Sequence, residues 1–191
     1  MAIPNAEEAR RILAARRLPD GIVLHSQGVA RVAKAAARRL EAAGIPIDVG
    51  LVEAAALLHD IDKLETRGGR GVHGLTGATT LEGMGFRELG PPVASHPISA
   101  LLDDRRFPRG WPSVAVNVAD KHVAQEFLSI DERLNDMVRR YPQFRAEIQA
   151  ARRPAHALEE ELADAIGLSV GELVEALREA WQSQVGERAG P

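Results

Sequence analysis

Apolar and polar positions follow a helical period along most of the chain, and the two-residue alternation that is typical of strands is scarce. Asn5 with Glu8, and Ser169 with Glu172, are pairs suited to capping a first and a last helix. Residues 51–58 are apolar on nearly every face, which indicates a central, buried helix. The pattern therefore predicts an all-α fold, a bundle of about eight or nine helices.

The helical pattern contains no internal repeat and no convincing domain boundary. We expect a single domain over residues 1–183, with its core at about 20–135 and a C-terminal helical extension at about 136–183. The arginine-rich stretch 138–153 is expected to form solvated helix faces. Residues 184–191 are expected to form a frayed tail.

The composition narrows the classes of function. A net charge of −3 gives no strong signal for nucleic acid or for an anionic membrane. The chain has no cysteine, which excludes disulfides, thiolate metal ligands and a cysteine nucleophile. It has neither a secretory signal pattern nor an apolar stretch of the roughly 18 residues that span a membrane. We therefore expect a cytoplasmic protein without a membrane partner, and a homodimer is compatible with the sequence.

Polar residues with metal-binding chemistry follow the most apolar helix directly. An ionised carboxylate such as that of Asp60 is costly to bury without a partner, and a metal cation would offset that cost. The neutral imidazole of His59 suits the same cation. Without cysteine, nitrogen and oxygen ligands favour iron or manganese, with magnesium, cobalt or zinc as other fitting ions. A buried, hydrogen-bonded pair without a metal is the structural alternative.

Two other predicted helices carry ligands that should face the core. His25 lies on the same stripe as Val29 and Ala36, and Asp120 shares a face with Val116. Three helices would thus each direct a nitrogen or oxygen ligand inward, which is a common way to build a metal site in a helical bundle.

The order of these four residues along the chain resembles the signature of the HD superfamily of metal-dependent phosphohydrolases. Residues 57–63, LLHDIDK, are similar to that family's LLHDIGK stretch, and residues 118–121, VADK, resemble its ADK segment. The resemblance covers about residues 20–135 and implies an HD-domain helical bundle.

Two further histidines extend the resemblance to the binuclear subset of that superfamily. The HGLTGA stretch that begins at His73 resembles the H…GA element, and the VASH stretch that ends at His96 resembles the later V…H element. Symmetrical diadenosine-tetraphosphate hydrolases and HD-GYP phosphodiesterases share this arrangement. The resemblance implies two divalent or mixed-valence metal ions with these ligands: His25, His59, Asp60 and Asp120 for the first ion, and Asp60 as a bridge, His73 and His96 for the second.

Such a pair of ions suits the hydrolysis of phosphoesters. Two metals about 3.5–4 Å apart share a water and lower its pKa to near neutrality. The resulting metal-bridged hydroxide is expected to attack a phosphomonoester or phosphodiester of a nucleotide-like or other small phosphorylated substrate. Asp60, as the bridging ligand, and Lys63 are the expected catalytic residues.

Three cations near the ligands are expected to bind the substrate. Lys63 follows His59 by four residues, one helical turn, and matches the family's lysine that contacts phosphate. Arg67 and Arg70 lie in a glycine- and arginine-rich segment, residues 65–72, that is expected to be a loop next to the anionic substrate.

Two departures from the family pattern bear on the substrate. Asp62 stands where the family has a small residue, and we expect it to pair with Lys63 and weaken that residue's contact with phosphate. The segment between His59 and His73 is shorter than in the diadenosine hydrolases, which argues against their substrate.

Two other functions are compatible with the ligand pattern. Some HD proteins with the same six ligands hold a mixed-valence di-iron centre and cleave a carbon bond with oxygen. A non-catalytic nucleotide-binding module would keep the pocket without turnover. Of the remaining histidines, His122 is expected on the surface or behind a metal ligand, and His156 in solvent.

Overall fold

The described part of the chain is helical. A computed structural model describes residues 3–183, which contain no β-strand and one isolated antiparallel bridge, between Val123 and Phe127. The α-helices of this part are α1 (Ala6–Ala15), α2 (Asp20–Ala42), α3 (Val49–Leu58), α4 (Lys63–Arg67), α5 (Leu75–Gly83), α6 (Gly90–Ser95), α7 (Trp111–His122), α8 (Ile130–Arg140), α9 (Arg145–Ala150), α10 (Arg152–Ala165) and α11 (Val170–Gln182). Short 3₁₀ turns occupy Arg87–Leu89, Ile98–Leu102 and Pro142–Phe144. The all-α class is confirmed.

The helices of residues 3–183 outnumber the eight or nine expected, because several short segments are helical. One of them, α4, overlaps the start of the stretch 65–72 that the sequence predicts to be a loop, and the loop itself occupies residues 68–74. The predicted tail at 184–191 lies outside the described residues. Within residues 3–183, each helix is too short or too polar to span a lipid bilayer.

The capping pairs occur where the sequence predicts them. The side chain of Asn5 accepts a hydrogen bond from the backbone N–H of Glu8, 2.9 Å away. Ser169 and Glu172 form a reciprocal capping box at the start of α11. Each cap satisfies backbone N–H groups that a helix leaves without partners, which stabilises a helix by about 1 kcal/mol.

Helix α3 is the centre of the core, as its apolar sequence predicts. Its side chains from Ala54 to Leu58 are at most 1% exposed, because α1, α2, α6 and α7 pack around it. Helices α2 and α7 also pack against each other. Their contacts with α3 bring the first turns of α2 and the end of α7 close to the residues that follow Leu58.

The C-terminal helices share this core. Helix α10 packs against α7, α11 packs against α2, and their buried side chains belong to the same hydrophobic cluster as those of α3. A single domain over residues 1–183 stays a prediction that these contacts support.

His122 lies at the contact between α7 and α10 and is fully buried, so its predicted placement on the surface is wrong. Its Nδ1 lies 2.7 Å from the carbonyl oxygen of Leu128, and its Nε2 lies 2.8 Å from Oε1 of Glu159. Its ring stacks on Phe127 with 5.0 Å between the centroids. His156 lies at the surface, as expected, with its side chain 37% exposed.

Replacing Glu159 by alanine is expected to lower the free energy of unfolding by about 3 kcal/mol, because His122 would lose its charged partner in the interior. Urea denaturation followed by circular dichroism measures this change. The matched control is Glu160→Ala, on the exposed side of the same helix, which should change stability little. Equal midpoints for the two variants would contradict the expectation.

Candidate metal centre

The six predicted ligands meet in one cluster although they come from separate segments. Helix α2 carries one, the end of α3 two, the segment before α5 one, the end of α6 one and α7 one. These ligands are His25, His59, Asp60, His73, His96 and Asp120. Four of them are buried, while the two partly exposed histidines, His25 and His73, face a cavity.

Three ligands form a first group whose ligand atoms all lie within 4.8 Å of one another. Nε2 of His25 lies 3.0 Å from Oδ1 of Asp120 and 3.2 Å from Nε2 of His59. Nε2 of His59 lies 3.7 Å from the same oxygen of Asp120. One cation at this place would meet two imidazoles and one carboxylate.

A second group surrounds Oδ1 of Asp60. This oxygen lies 3.2 Å from Nε2 of His73 and 3.5 Å from Nε2 of His96. It also lies 3.7 Å from Nε2 of His59, and Oδ2 of the same carboxylate lies 3.9 Å from Nε2 of His25. The Asp60 carboxylate is therefore within reach of both groups, which is the position that a bridging ligand requires.

Two of the rings are oriented by hydrogen bonds to the backbone. Nδ1 of His59 lies 2.8 Å from the carbonyl oxygen of Ala56, and Nδ1 of His96 lies 2.7 Å from that of Val93. A ring nitrogen that faces a carbonyl oxygen must donate, so in each ring Nε2 presents its lone pair to the cluster. This arrangement is common among histidines that bind metals.

The protonation states of the buried groups also suit metal binding. Burial lowers the pKa of His59 to about 3, which keeps the ring neutral. Burial opposes the charge of Asp60, but Lys63 and His59 outweigh it and hold the pKa of Asp60 well below its usual range. Lys121 and His25 do the same for the pKa of Asp120, again against burial. His59 thus offers a neutral imidazole, and Asp60 and Asp120 offer ionised carboxylates.

The donor set fits divalent metal ions. Nε2 of His73 and Nε2 of His96 lie only 3.1 Å apart, and two lone pairs at that distance repel each other unless a cation lies between them and the carboxylate. Burial lowers the pKa of His73, but hydrogen bonds with Asp60 and Asp62 outweigh it and raise that pKa. A proton on Nε2 and a metal ion would therefore compete for the same place.

A family model for the HD domain matches residues 22–189. The chain belongs to the HD domain family. The match continues past residue 135, where the motif resemblance ends, and so includes the helices of the C-terminal extension. Comparison with curated proteins and with solved structures found no significant match. Most HD domains are metal-dependent hydrolases, so activity of the metal-dependent phosphohydrolase type is the general class that membership implies.

In this HD protein, Asp62 is a buried acceptor and not the partner of Lys63 that the sequence suggests. Its Oδ1 lies 2.7 Å from Nδ1 of His73, and its Oδ2 accepts hydrogen bonds from the N–H groups of Gly74 and Gly77, at 2.8 and 2.9 Å. Asp62 thereby orients the ring of His73 so that Nε2 faces Asp60. The backbone of Gly74, with φ +84°, favours glycine at this turn.

Asp62→Asn is expected to weaken metal binding at the second group by about 10–100-fold. If the amide oxygen keeps the two glycine N–H groups, the amide NH₂ faces Nδ1 of His73. The proton of that ring then moves to Nε2, the ligand atom. Titration calorimetry with Mn²⁺ measures the change. Asp104→Asn, on the exposed surface, is the matched control, and equal affinity of both variants for two ions would contradict this role.

Two lysines neutralise the ligand carboxylates. Nζ of Lys63 lies 3.0 Å from Oδ1 of Asp60 and 3.0 Å from Nε2 of His73. Lys121, which is 1% exposed, donates to Oδ2 of Asp120 at 2.7 Å and to the carbonyl oxygen of His96 at 2.8 Å. The sequence places Lys121 next to Asp120, but it does not show that Lys121 connects α7 to the residue after α6 through a hydrogen bond.

Residues of the cluster line a cavity of about 570 Å³. Lys63 and Arg67 line it, and Arg67 donates a hydrogen bond to the hydroxyl of Tyr141 at 3.3 Å. Arg70 is exposed and is not among the lining residues, so its role in substrate binding stays a prediction. Arg133 and Arg140 line the cavity as well and were not singled out by sequence.

Part of the stretch 138–153 is therefore not the solvated helix face that its arginines suggest. Arg140, Tyr141 and Phe144 line the cavity, and so does Ile148, which is 1% exposed. The helical period alone does not show that the turn at 142–144 directs these side chains toward the metal centre.

Proposed function

We propose that this HD protein hydrolyses a phosphomonoester or phosphodiester bond in a nucleotide-like or other small phosphorylated substrate, with two metal ions at the centre. The observation that carries the proposal is the convergence of six nitrogen and oxygen ligands, with Asp60 in reach of both groups, at a cavity that basic side chains also line. Fold alone would not justify this activity, because the ligand set and its access to a cavity carry the chemistry.

In this proposal each ligand group would hold one ion. His25, His59 and Asp120 would hold the first, His73 and His96 the second, with Asp60 shared between them. Iron or manganese fits this nitrogen and oxygen set best, and magnesium, cobalt or zinc also suit it. When bound, two such ions lower the pKa of a shared water and neutralise negative charge on phosphoryl oxygens.

The protein's own groups would position the substrate. Lys63 carries three donors at the boundary between the cluster and the cavity, where a phosphoryl oxygen of the substrate would lie. Arg67 lines the cavity farther along and offers a planar donor for a second anionic oxygen. Because His59 is fully buried and the other ligands line the cavity, the substrate would reach the ligands through the cavity.

Metal analysis of the purified protein tests the two-ion centre. We expect two equivalents per chain, and one equivalent in the double variant His73→Ala His96→Ala, which keeps the first ligand group. One equivalent in both proteins would contradict a binuclear centre. Circular dichroism of the double variant checks that it is folded.

A substrate panel tests the reaction class. Manganese-loaded protein should release phosphate or a nucleotide product from at least one member of a panel of nucleotides and simple phosphoesters. Oxygen-dependent product from the iron-loaded protein, without phosphoester hydrolysis, would favour the di-iron oxygenase. Tight nucleotide binding without product after long incubation would favour the binding module.

A further inference from the structure

The cavity extends well beyond the metal ligands. Side chains of α8 and α9, with Tyr141 and Phe144 between them, form a part of its wall that contains no metal ligand and is called the far wall below. A volume of about 570 Å³ lies in the range of roughly 300–1,000 Å³ that holds a whole small-molecule ligand. An inorganic phosphate at the metal end would leave most of this space to the rest of the substrate.

Aromatic and apolar side chains form much of the far wall. Met137, Tyr141, Phe144 and Ile148 line it, and Phe144 is 51% exposed. A large aromatic ring that faces an open cavity gains contact when a second planar ring covers it. This wall therefore favours a substrate that carries a flat, weakly polar group in addition to the scissile phosphate.

Cations flank the same wall. Asp136 holds two of them: Nε of Arg140 lies 2.9 Å from its Oδ2, and Nη1 of Arg133 lies 3.7 Å from that oxygen. Nε of Arg133 is buried and has no hydrogen-bond partner among the described residues. These charges favour a second anionic group on the substrate.

One carboxylate, that of Glu147, lines the same wall. A carboxylate at this position would repel a polyphosphate, because like charges repel. Glu147 can accept hydrogen bonds from hydroxyl or amino groups such as those of a ribose or a base. Aromatic rings, cations and one acceptor together match the parts of a nucleotide.

We infer that the far wall is a nucleoside-binding subsite for a substrate with at least two phosphate groups. The base stacks on Phe144 and Tyr141, and the phosphate that is not at the metals meets Arg67 and Arg140. The inference rests on the proposed function for the position of the scissile phosphate. It makes residues 137–148 the part of the chain that determines specificity.

Two non-hydrolysable probes test the subsite by equilibrium binding to the purified, full-length protein. One is adenosine 5′-(α,β-methylene)diphosphate, and the other is methylenediphosphonate, which lacks the nucleoside. We expect the first to bind at least about tenfold more tightly in titration calorimetry, because base stacking on aromatic side chains contributes about that much. Equal dissociation constants for the two probes would overturn the inference.

Substitutions of Phe144 test whether this residue causes the difference in affinity between the two probes. Phe144→Ala should remove most of the preference for the nucleoside probe and leave the affinity for methylenediphosphonate unchanged, whereas Phe144→Trp should retain the preference. Met84→Ala is the matched control, since Met84 is 43% exposed and does not line the cavity. An unchanged preference in Phe144→Ala would overturn the subsite.

Two adjacent arginines provide a matched pair of substitutions that tests the contact between a cation and the substrate. Arg140 and Arg139 both pair with Asp136, but only Arg140 lines the cavity. Arg140→Ala should weaken the binding of both probes several-fold, and Arg139→Ala should weaken neither. Equal effects of the two substitutions would contradict the assigned contact.

The outcomes separate this subsite from the proposed activity. Nucleoside-dependent binding that requires Phe144, without hydrolysis of any phosphoester, would support the subsite and contradict the phosphohydrolase. Hydrolysis of a simple phosphoester with no preference for the nucleoside probe would support the phosphohydrolase and overturn the subsite.

Discussion

Asp60→Asn is expected to reduce phosphoester hydrolysis by about 10³-fold and to lower the metal content below two equivalents per chain. The reason is geometric and electrostatic. Oδ1 of Asp60 lies 3.2 Å from Nε2 of His73 and 3.7 Å from Nε2 of His59, so this one carboxylate serves both ligand groups. An amide has almost the same shape but carries no negative charge, and its nitrogen is a poor ligand. Steady-state kinetics and elemental analysis measure both changes.

The matched control is Asp104→Asn, an exposed position away from the cavity, which should retain full activity and two ions. Thermal unfolding shows whether each variant is folded. An Asp60→Asn protein with wild-type turnover would contradict the central position assigned to this carboxylate.

Lys63→Met is expected to lower kcat/KM by about 10²-fold while the protein still binds two metal ions. Nζ of Lys63 lies 3.0 Å from both Oδ1 of Asp60 and Nε2 of His73, so the ammonium and a second metal ion share neighbours. Methionine keeps the length and the apolar stem of lysine but removes the charge. The loss should therefore fall on phosphate binding and on charge stabilisation, and not on the ions.

Kinetics combined with metal analysis distinguish a role of Lys63 in phosphate binding from a role in holding the metal ions. Lys34→Met, at an ion pair with Glu53 outside the cavity, is the control and should not change kcat/KM. If Lys63→Met instead loses one metal ion, Lys63 supports the centre itself and the predicted contact with phosphate is wrong. Lys63→Arg, which keeps the charge, should recover part of the activity.

The fold class and the convergence of four candidate ligands, His25, His59, Asp60 and Asp120, could be predicted from the sequence because both depend on local patterns. The apolar run of α3 predicts its burial, and His59 and Asp60 follow it without a break. His25 and Asp120 lie on apolar faces of helices that pack against α3. The structure brings these residues together by the burial that the pattern indicates.

Contacts between distant segments could not be predicted in this way. The role of Asp62 depends on the N–H groups of Gly74 and Gly77, which a turn of the following loop directs toward it. His122 is buried only because α10 places Glu159 against it. Neither a period nor a motif contains this information.

The cavity wall illustrates the same limit. Arg133 and Arg140 have the spacing of an ordinary charged helix face, and the sequence does not indicate which turn of α8 meets the cavity. That depends on the packing of α8 against α7 and on the turn that follows Arg140.

The ring nitrogens that face one another across the centre have a consequence for the lifetime of the folded protein. Nε2 atoms lie 3.1 Å apart between His73 and His96, and 3.2 Å apart between His25 and His59, and unfolding would separate all four rings. Ions that bind only the folded chain would stabilise it, by about 2.7 kcal/mol at a concentration one hundred times the dissociation constant. The supply of metal would then govern how much of the protein escapes proteolysis as well as how fast it turns over its substrate.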